Sequence, residues 1–307
     1  MRTKSLLVVF AALAAACSRN NIEAVNLANE GDKAKASNID EAISKYEQAT
    51  KLDADNARIW WKLALAYEKK EDWQKMASAC TQAEEASERV DKKKSHADYY
   101  FRQGYALEKL AEDNKGSWAD AKAPFQMAIQ LDASFSQAYG ELAMVDLHTD
   151  DEVGAMQNWN KAIQTNPSDT QYYVLLADEY QRLMAFDQEV AVLKEGVSYA
   201  KGDDKHLFNL HALLGYAYEN QADVPHAVAE YEAAKKSCES NKCNDHKEAY
   251  FNLGTAYAEL NPPKKNEAIQ QLQSFWKITC KGALAVKFGE ECSQSQEIVR
   301  RLGGSLQ

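Results

Sequence analysis

Proline and glycine are scarce in this 307-residue chain, at 5 and 13 residues. Little therefore interrupts helices. Strand-length runs of alternating apolar and polar residues are missing, which excludes a half-buried sheet. No Ser/Gly-rich linker divides the chain. Positive charge is in deficit: 36 Lys and Arg stand against 46 Asp and Glu, a net charge of −10. Phosphate and anionic lipid head groups repel such a surface, so nucleic acid is not an expected partner. Catalytic signatures are lacking as well. G-x-S-x-G, H-E-x-x-H, phosphate-cradling glycine loops and G-x-G-x-x-G do not occur. His206 and His211 lie more than one helical turn apart, a poor spacing for a shared metal, and read as ordinary polar positions. Glu84-Glu85 and Glu290-Glu291 are adjacent and diverge around a helix, so neither makes an acid/base dyad. The expectation is a protein that is not an enzyme, with no cofactor, no metal and no small-molecule substrate.

What is present is repetition. Small residues stand at Ala64, Gly104, Ala143, Ala177, Gly215 and Gly254, each flanked by apolar side chains, at gaps of 40, 39, 34, 38 and 39 residues. A period of this length marks a solenoid whose unit cannot bury its own apolar face and must stack on neighbours. In residues 57 to 90, Trp60, Leu63, Ala64 and Tyr67 form one helical stripe, and Met76, Cys80 and Ala83 form a second. In residues 136 to 169 the equivalents are Tyr139, Leu142 and Ala143, then Ala155, Trp159 and Ala162. Pro167 cannot continue that second helix and punctuates the repeat.

These offsets resemble the tetratricopeptide repeat, an antiparallel helix pair of 34 residues, over about residues 22 to 280. Other copies show Tyr100, Gly104, Ala121, Phe125 and Ala128; Leu214, Gly215, Tyr218, Ala227, Tyr231 and Ala234; and Leu253, Gly254, Tyr257, Ala268, Leu272 and Phe275. The first copy keeps Ala42, Tyr46 and Ala49, but its first helix, near Ile22 to Ala34, is degenerate. The fifth has Glu189 where a small residue is expected. The resemblance implies an all-α fold: a right-handed superhelical solenoid of about seven helix pairs, closed by a more polar capping helix from Gly289 to Leu302. The expected organisation is a signal peptide over 1–16, a lipidated N-terminus and short tether over 17–21, the solenoid over 22–280, and a cap and tail over 281–307. The charged run Glu84 to Ser95 reads as a solvated helix end.

The N-terminus follows a different pattern. Arg2 and Lys4 precede an apolar run, Leu6 to Ala16, which suits a signal-peptide core and is too short to span a bilayer comfortably. Ala14-Ala15-Ala16-Cys17 resembles a bacterial lipobox, which implies acylation of Cys17. The same residues, Ala14-x-Ala16, also satisfy an ordinary signal peptidase. An acyl chain contributes about 0.8 kcal/mol per buried CH₂, so a fully acylated Cys17 would anchor the chain. Ser18, rather than Asp, after the cysteine implies sorting to the periplasmic face of the outer membrane; a soluble periplasmic or secreted protein is the alternative.

Cys80 occupies an apolar-stripe position and acts as a small hydrophobe. In an oxidising envelope, Cys238 with Cys243 and Cys280 with Cys292 read as two local disulfides, contributing about 2 and about 3 kcal/mol in the chain-entropy model. A zinc site from Cys238, Cys243 and His246 is the alternative, with spacing that matches no standard ligand pattern.

Carried onto each first helix, the family's groove offsets imply a partner-binding strip of Arg58, Trp61, Leu65, Phe101, Tyr105, Gly140, Met144, Val174, Asp178, Ala212, Tyr216, Phe251 and Thr255. Trp61, Phe101 and Tyr105 are the strongest candidate anchors, because aromatic residues dominate interface energetics. Packing between repeats is the competing role for each position. Two functions fit. The first is an envelope adaptor that assists assembly or localisation of a complex; in layout the chain resembles the lipoproteins that assist type IV pilus secretins and motility machines. The second is a recruiting or regulatory subunit for a periplasmic peptidoglycan hydrolase or protease.

Overall fold

A computed structural model describes residues 3–90, 96–241 and 246–306, without the side chains of 3–18, 240, 241 and 246. The side chain of Cys17, the expected lipidation site, residue Cys243 and the side chain of His246 thus lie outside the described residues. Among the described residues there are sixteen helices and no strand. None of those helices is long and apolar enough to cross a membrane.

The helices form consecutive pairs within two compact units, Met1–Thr165 and Asn166–Gln307. The first unit pairs α1 (Thr3–Ala34) with α2 (Ile39–Leu52), α3 (Ala57–Lys69) with α4 (Trp73–Val90), α5 (Ala97–Glu112) with α6 (Trp118–Leu131), and α7 (Ser136–His148) with α8 (Glu152–Thr165). The second pairs α9 (Gln171–Arg182) with α10 (Phe186–Tyr199), α11 (Leu207–Asn220) with α12 (Val224–Asn241), and α13 (His246–Glu259) with α14 (Lys265–Thr279). A single turn, α15 (Leu284–Lys287), then leads into α16 (Gly289–Arg301). The boundary between the units falls within the span 22–280 that reads in sequence as one solenoid.

Each pair is built on a close crossing. A β-carbon placed on Gly215 of α11 would lie 2.6 Å from a ring carbon of Tyr231 on α12; on Gly104 it would lie 2.8 Å from Phe125, and on Gly254 2.7 Å from Leu272. The same contact occurs in the first pair, where a β-carbon on Gly31 would lie 2.6 Å from the ring of Tyr46. The helix that reads as degenerate in sequence therefore packs as the others do, and its marker is Gly31. The ring that covers the glycine also spends its hydroxyl within the pair: Tyr46 donates to Asp32 at 2.7 Å and Tyr231 to Glu219 at 2.8 Å.

The turns inside five of the seven pairs, from α3–α4 to α11–α12, share one geometry. Glu71, Asn114, Asp150, Met184 and Ala222 all have φ between 54° and 61°. In each case the next amide reaches back to the last turn of the first helix, as Asp72 does to the Tyr67 carbonyl at 3.0 Å and Asp223 to that of Tyr218 at 2.9 Å. This is the left-handed C-terminal cap that satisfies orphan carbonyls and reverses the chain. Between pairs the repeat length appears directly as hydrogen bonds. Arg89 to Asp55, Arg102 to Glu68, Thr170 to Asp204 and Gln221 to Asp187 each join residues 34 apart.

At the C-terminal end Cys280, the cap residue of α14, is bonded to Cys292 on α16. Phe288 lies edge-on to Phe275, with centroids 6.3 Å apart, so the loop between them is packed as well as cross-linked. Cys238 is fully buried and disulfide-bonded. Cys80 is buried with a free thiol that burial pushes well above its ordinary value. The charged run from Glu84 starts inside the protein: Glu84 is buried, one carboxylate oxygen has no hydrogen-bond partner, and burial followed by Glu88 and Glu85 pushes its carboxyl up to about 8.

The crossing contact makes a direct test. Gly215→Leu should lower unfolding stability by about 1 to 3 kcal/mol through overpacking against Tyr231. Gly202, beside which a β-carbon meets nothing within 4 Å, serves as the control: Gly202→Ala should stay within about 0.5 kcal/mol of the parent in urea unfolding.

Candidate interaction surface

In the first unit the expected groove residues are largely engaged by the protein itself. Phe101, 8% exposed, sits in a core cluster with Phe125, 5.8 Å away between centroids, and Phe135 at 4.7 Å. Its ring is taken up by packing between α5, α6 and the loop before α7. Trp61 is half-buried, with its ring 5.0 Å from that of Tyr99 on the next first helix. Tyr105 is also half-buried, edge-on to Trp73 at 5.9 Å, with the Lys109 ammonium 5.2 Å from its ring. Leu65 and Met144 are half-buried, and Gly140 is buried. Arg58 is exposed on a separate cleft with Tyr99 and Val90. Near Tyr105, Glu108 is buried with one oxygen unpartnered. Burial and then neighbouring Glu141 push its carboxyl up to about 8, and burial raises that of Glu141.

The second unit differs. Its first helices α9, α11 and α13 enclose a cleft of about 330 Å³ lined by Val174, Asp178, Phe208, Ala212, Tyr216, Glu248 and Asn252. A further cleft of about 520 Å³ lies between α11, α13 and α16 and adds Phe251, Thr255, Glu219, Glu259, Glu297, Ile298 and Arg301. Tyr216 and Asn252 line both, so the two clefts form one trough along the first helices, closed at its far end by α16. Of the expected strip, this brings together Val174, Asp178, Ala212, Tyr216, Phe251 and Thr255. Tyr216 keeps 41% of its surface exposed, enough for a partner to cover. Phe251 is half-buried, its ring 5.2 Å from Phe275. The contribution of α16 is what groove offsets miss, because those offsets describe first helices only and α16 is placed by its disulfide and by Phe288.

Glu189 packs in the same pair as Asp178. It stands twelve residues after Ala177, where the neighbouring repeats have Ala155 and Ala227. It is 0% exposed and neither carboxylate oxygen has a partner. Burial, and then the charge of Asp178, push its carboxyl from the ordinary 4.5 up to about 7. Burial raises Asp178 as well. His206 and His211 do not converge: His211 Nδ1 lies 2.7 Å from Glu230, and burial lowers His206 below its ordinary range. No group of three or more metal-ligating side chains occurs among the described residues.

An acid whose folded value is raised contributes stability that is present below its unfolded value and lost as pH rises through the folded one. Glu189 should therefore weaken the second unit as pH climbs from about 5 to about 8, by about 3 kcal/mol at the top of that range. Glu189→Gln should flatten this dependence and be the more stable protein at pH 8. Equal slopes of urea stability against pH in the two proteins would refute the assignment.

Residues 34–71, from the end of α1 to the turn after α3, match the family model described as TPR repeat. No curated protein gives a significant match. Among solved structures the chain is similar to the C-terminal part of a TPR repeat-containing protein from Cytophaga hutchinsonii, with a TM-score of 0.65 at 15% identity over 84% of this chain and 98% of that one. It is also similar to YrrB, described as a TPR protein with an unusual peptide-binding site, with a TM-score of 0.51 at 19% identity over 70% of this chain and 99% of that one. At these identities the likeness is one of fold: the chain is built as tetratricopeptide-type helix pairs.

Proposed function

We propose that this chain is a non-catalytic protein-binding scaffold, and that the trough of the second unit is where it holds its partner. The observation that carries the reading is the placement of Tyr216. It is a large aromatic, left 41% exposed, and with Asn252 it lines both clefts of the trough. Large aromatics at the centre of a concave surface are the residues that dominate binding when covered. A peptide or helix laid along α9, α11 and α13 would cover it. The tetratricopeptide-type fold supports this, since it presents first helices side by side as a binding face.

The finer reading is an envelope role. Arg2, Lys4, the apolar run to Ala16 and Cys17 support export with a lipid anchor at the periplasmic face of the outer membrane. In that setting the scaffold would assist assembly or localisation of an envelope complex, such as a pilus secretin or a motility machine.

The anchor and the binding face are tested separately. Mature protein from its own cells should carry acyl mass on Cys17, and Cys17→Ala should leave the membrane fraction; an unacylated N-terminus would rule out the anchor. Crosslinking from position 216 in envelope membranes should capture a partner, and Tyr216→Ala should weaken binding by about 2 kcal/mol, roughly thirtyfold, without loss of helicity. Phe101→Ala should instead melt the first unit by about 3 kcal/mol or more, as a core truncation does. If Tyr216→Ala binds as the parent does, the trough is not the binding face.

A further inference from the structure

The trough has a chemical sign. Five carboxylates line it, Asp178, Glu219, Glu248, Glu259 and Glu297, against the single cation Arg301. Among the described residues none of the five takes part in an ion pair, although the chain forms many elsewhere, such as Lys45 with Glu30 and Lys122 with Asp146. Between the carboxylates lie apolar surfaces, Tyr216 foremost. An apolar floor with uncompensated acids along its walls is complementary to a segment that alternates apolar and cationic side chains, and it repels an acidic one.

We infer that the second unit's trough selects a cationic amphipathic segment of a protein partner, whose lysines or arginines pair with Glu219, Glu259 and Asp178 while its apolar side chains cover Tyr216. This rests on the trough being the binding face and adds what that face accepts. Glu219 is the most informative of the acids. From α12 the Tyr231 hydroxyl donates to it at 2.8 Å; α13 brings Glu259, α11 itself brings Tyr216, and α16 brings Glu297 and Arg301 to the same cleft. Burial, opposed by the Tyr231 hydrogen bond and reinforced by Glu259, raises its carboxyl to about 7. A cation arriving beside it favours the ionised form, so binding expels a proton and tightens as pH rises.

The test uses the full chain with two labelled probes of one apolar pattern, a leucine–lysine amphipathic peptide and its leucine–glutamate counterpart, read by fluorescence anisotropy. The lysine probe should bind, the glutamate probe should bind at least about tenfold more weakly, and affinity for the lysine probe should rise about tenfold from pH 6 to pH 8. Glu219→Gln should remove most of that pH dependence while Tyr216→Ala weakens binding at every pH. If both probes bind equally and Tyr216→Ala weakens both, the trough is a binding face without charge selection, and this inference falls while the scaffold reading stands. If the lysine probe binds but neither substitution affects it, the trough itself is excluded. Failure of the lysine probe to bind would overturn the inference.

Discussion

The contact on which the structure depends is a small residue on one helix of each pair facing a side chain of the other. Helix pairs can approach closely only where one helix presents no β-carbon, or little beyond one, to the other. Gly31 with Tyr46, Gly104 with Phe125, Gly215 with Tyr231 and Gly254 with Leu272 all make this contact. Sixteen residues separate Gly215 from Tyr231, and the same step leads from Ala64 to Cys80, from Ala143 to Trp159 and from Ala177 to Leu193, all with at most 1% of their surface exposed. The crossing fixes the tilt of each pair. That tilt sets which side of the first helix is left over, and so which residues can line a binding face.

Fixing the pairs does not by itself make a groove. In the first unit the leftover side is filled by aromatic residues from adjacent first helices and loops: Trp61 reaches Tyr99, and Phe101 is sandwiched toward Phe135. In the second unit the equivalent side holds smaller residues, Val174, Ala212 and Asn252, around Tyr216, and a trough remains. The same repeat grammar thus packs a seam around Trp61 and Phe101 and leaves a trough around Tyr216, while the clefts of the first unit lie elsewhere, beside Arg58 and Tyr99 and between α2, α3 and α4.

Much of this was legible in the sequence. Six glycine and alanine markers gave six pairs, the stripe Ala42, Tyr46 and Ala49 gave the first, and a more polar helical stretch gave the cap near Gly289, because helix periodicity and close packing are local properties. Gly31 is hard to read as a marker because the stripe beside it, Ala24, Leu27 and Ala28, has a single large side chain and no aromatic. The boundary after Thr165 was invisible, since Asn166-Pro167 is ordinary punctuation for a repeat. Family offsets put Val174, Tyr216 and Phe251 on the exposed side of first helices, and the structure gathers them in one trough. The same offsets put Phe101 there too, yet a loop residue, Phe135, covers it. Offsets along a helix cannot report what a distant loop will cover, nor that α16 will wall off the trough.

The buried acids follow from the same geometry. Glu189 stands where neighbouring repeats have alanine, and no hydrogen bond satisfies it. Packing the pair around a carboxyl has a stability cost that alanine would avoid, so nothing in the fold itself calls for the acid. Asp178, which helps to raise Glu189, lines the trough. A cation held at Asp178 would offset the repulsion that Asp178 exerts on Glu189, so occupation of the trough and ionisation of Glu189 are linked through one carboxylate. The linkage is short-ranged and has a definite sign. A positively charged partner would make the α9–α10 pair more tolerant of alkaline conditions than the free protein, and a neutral ligand on the same apolar floor would not.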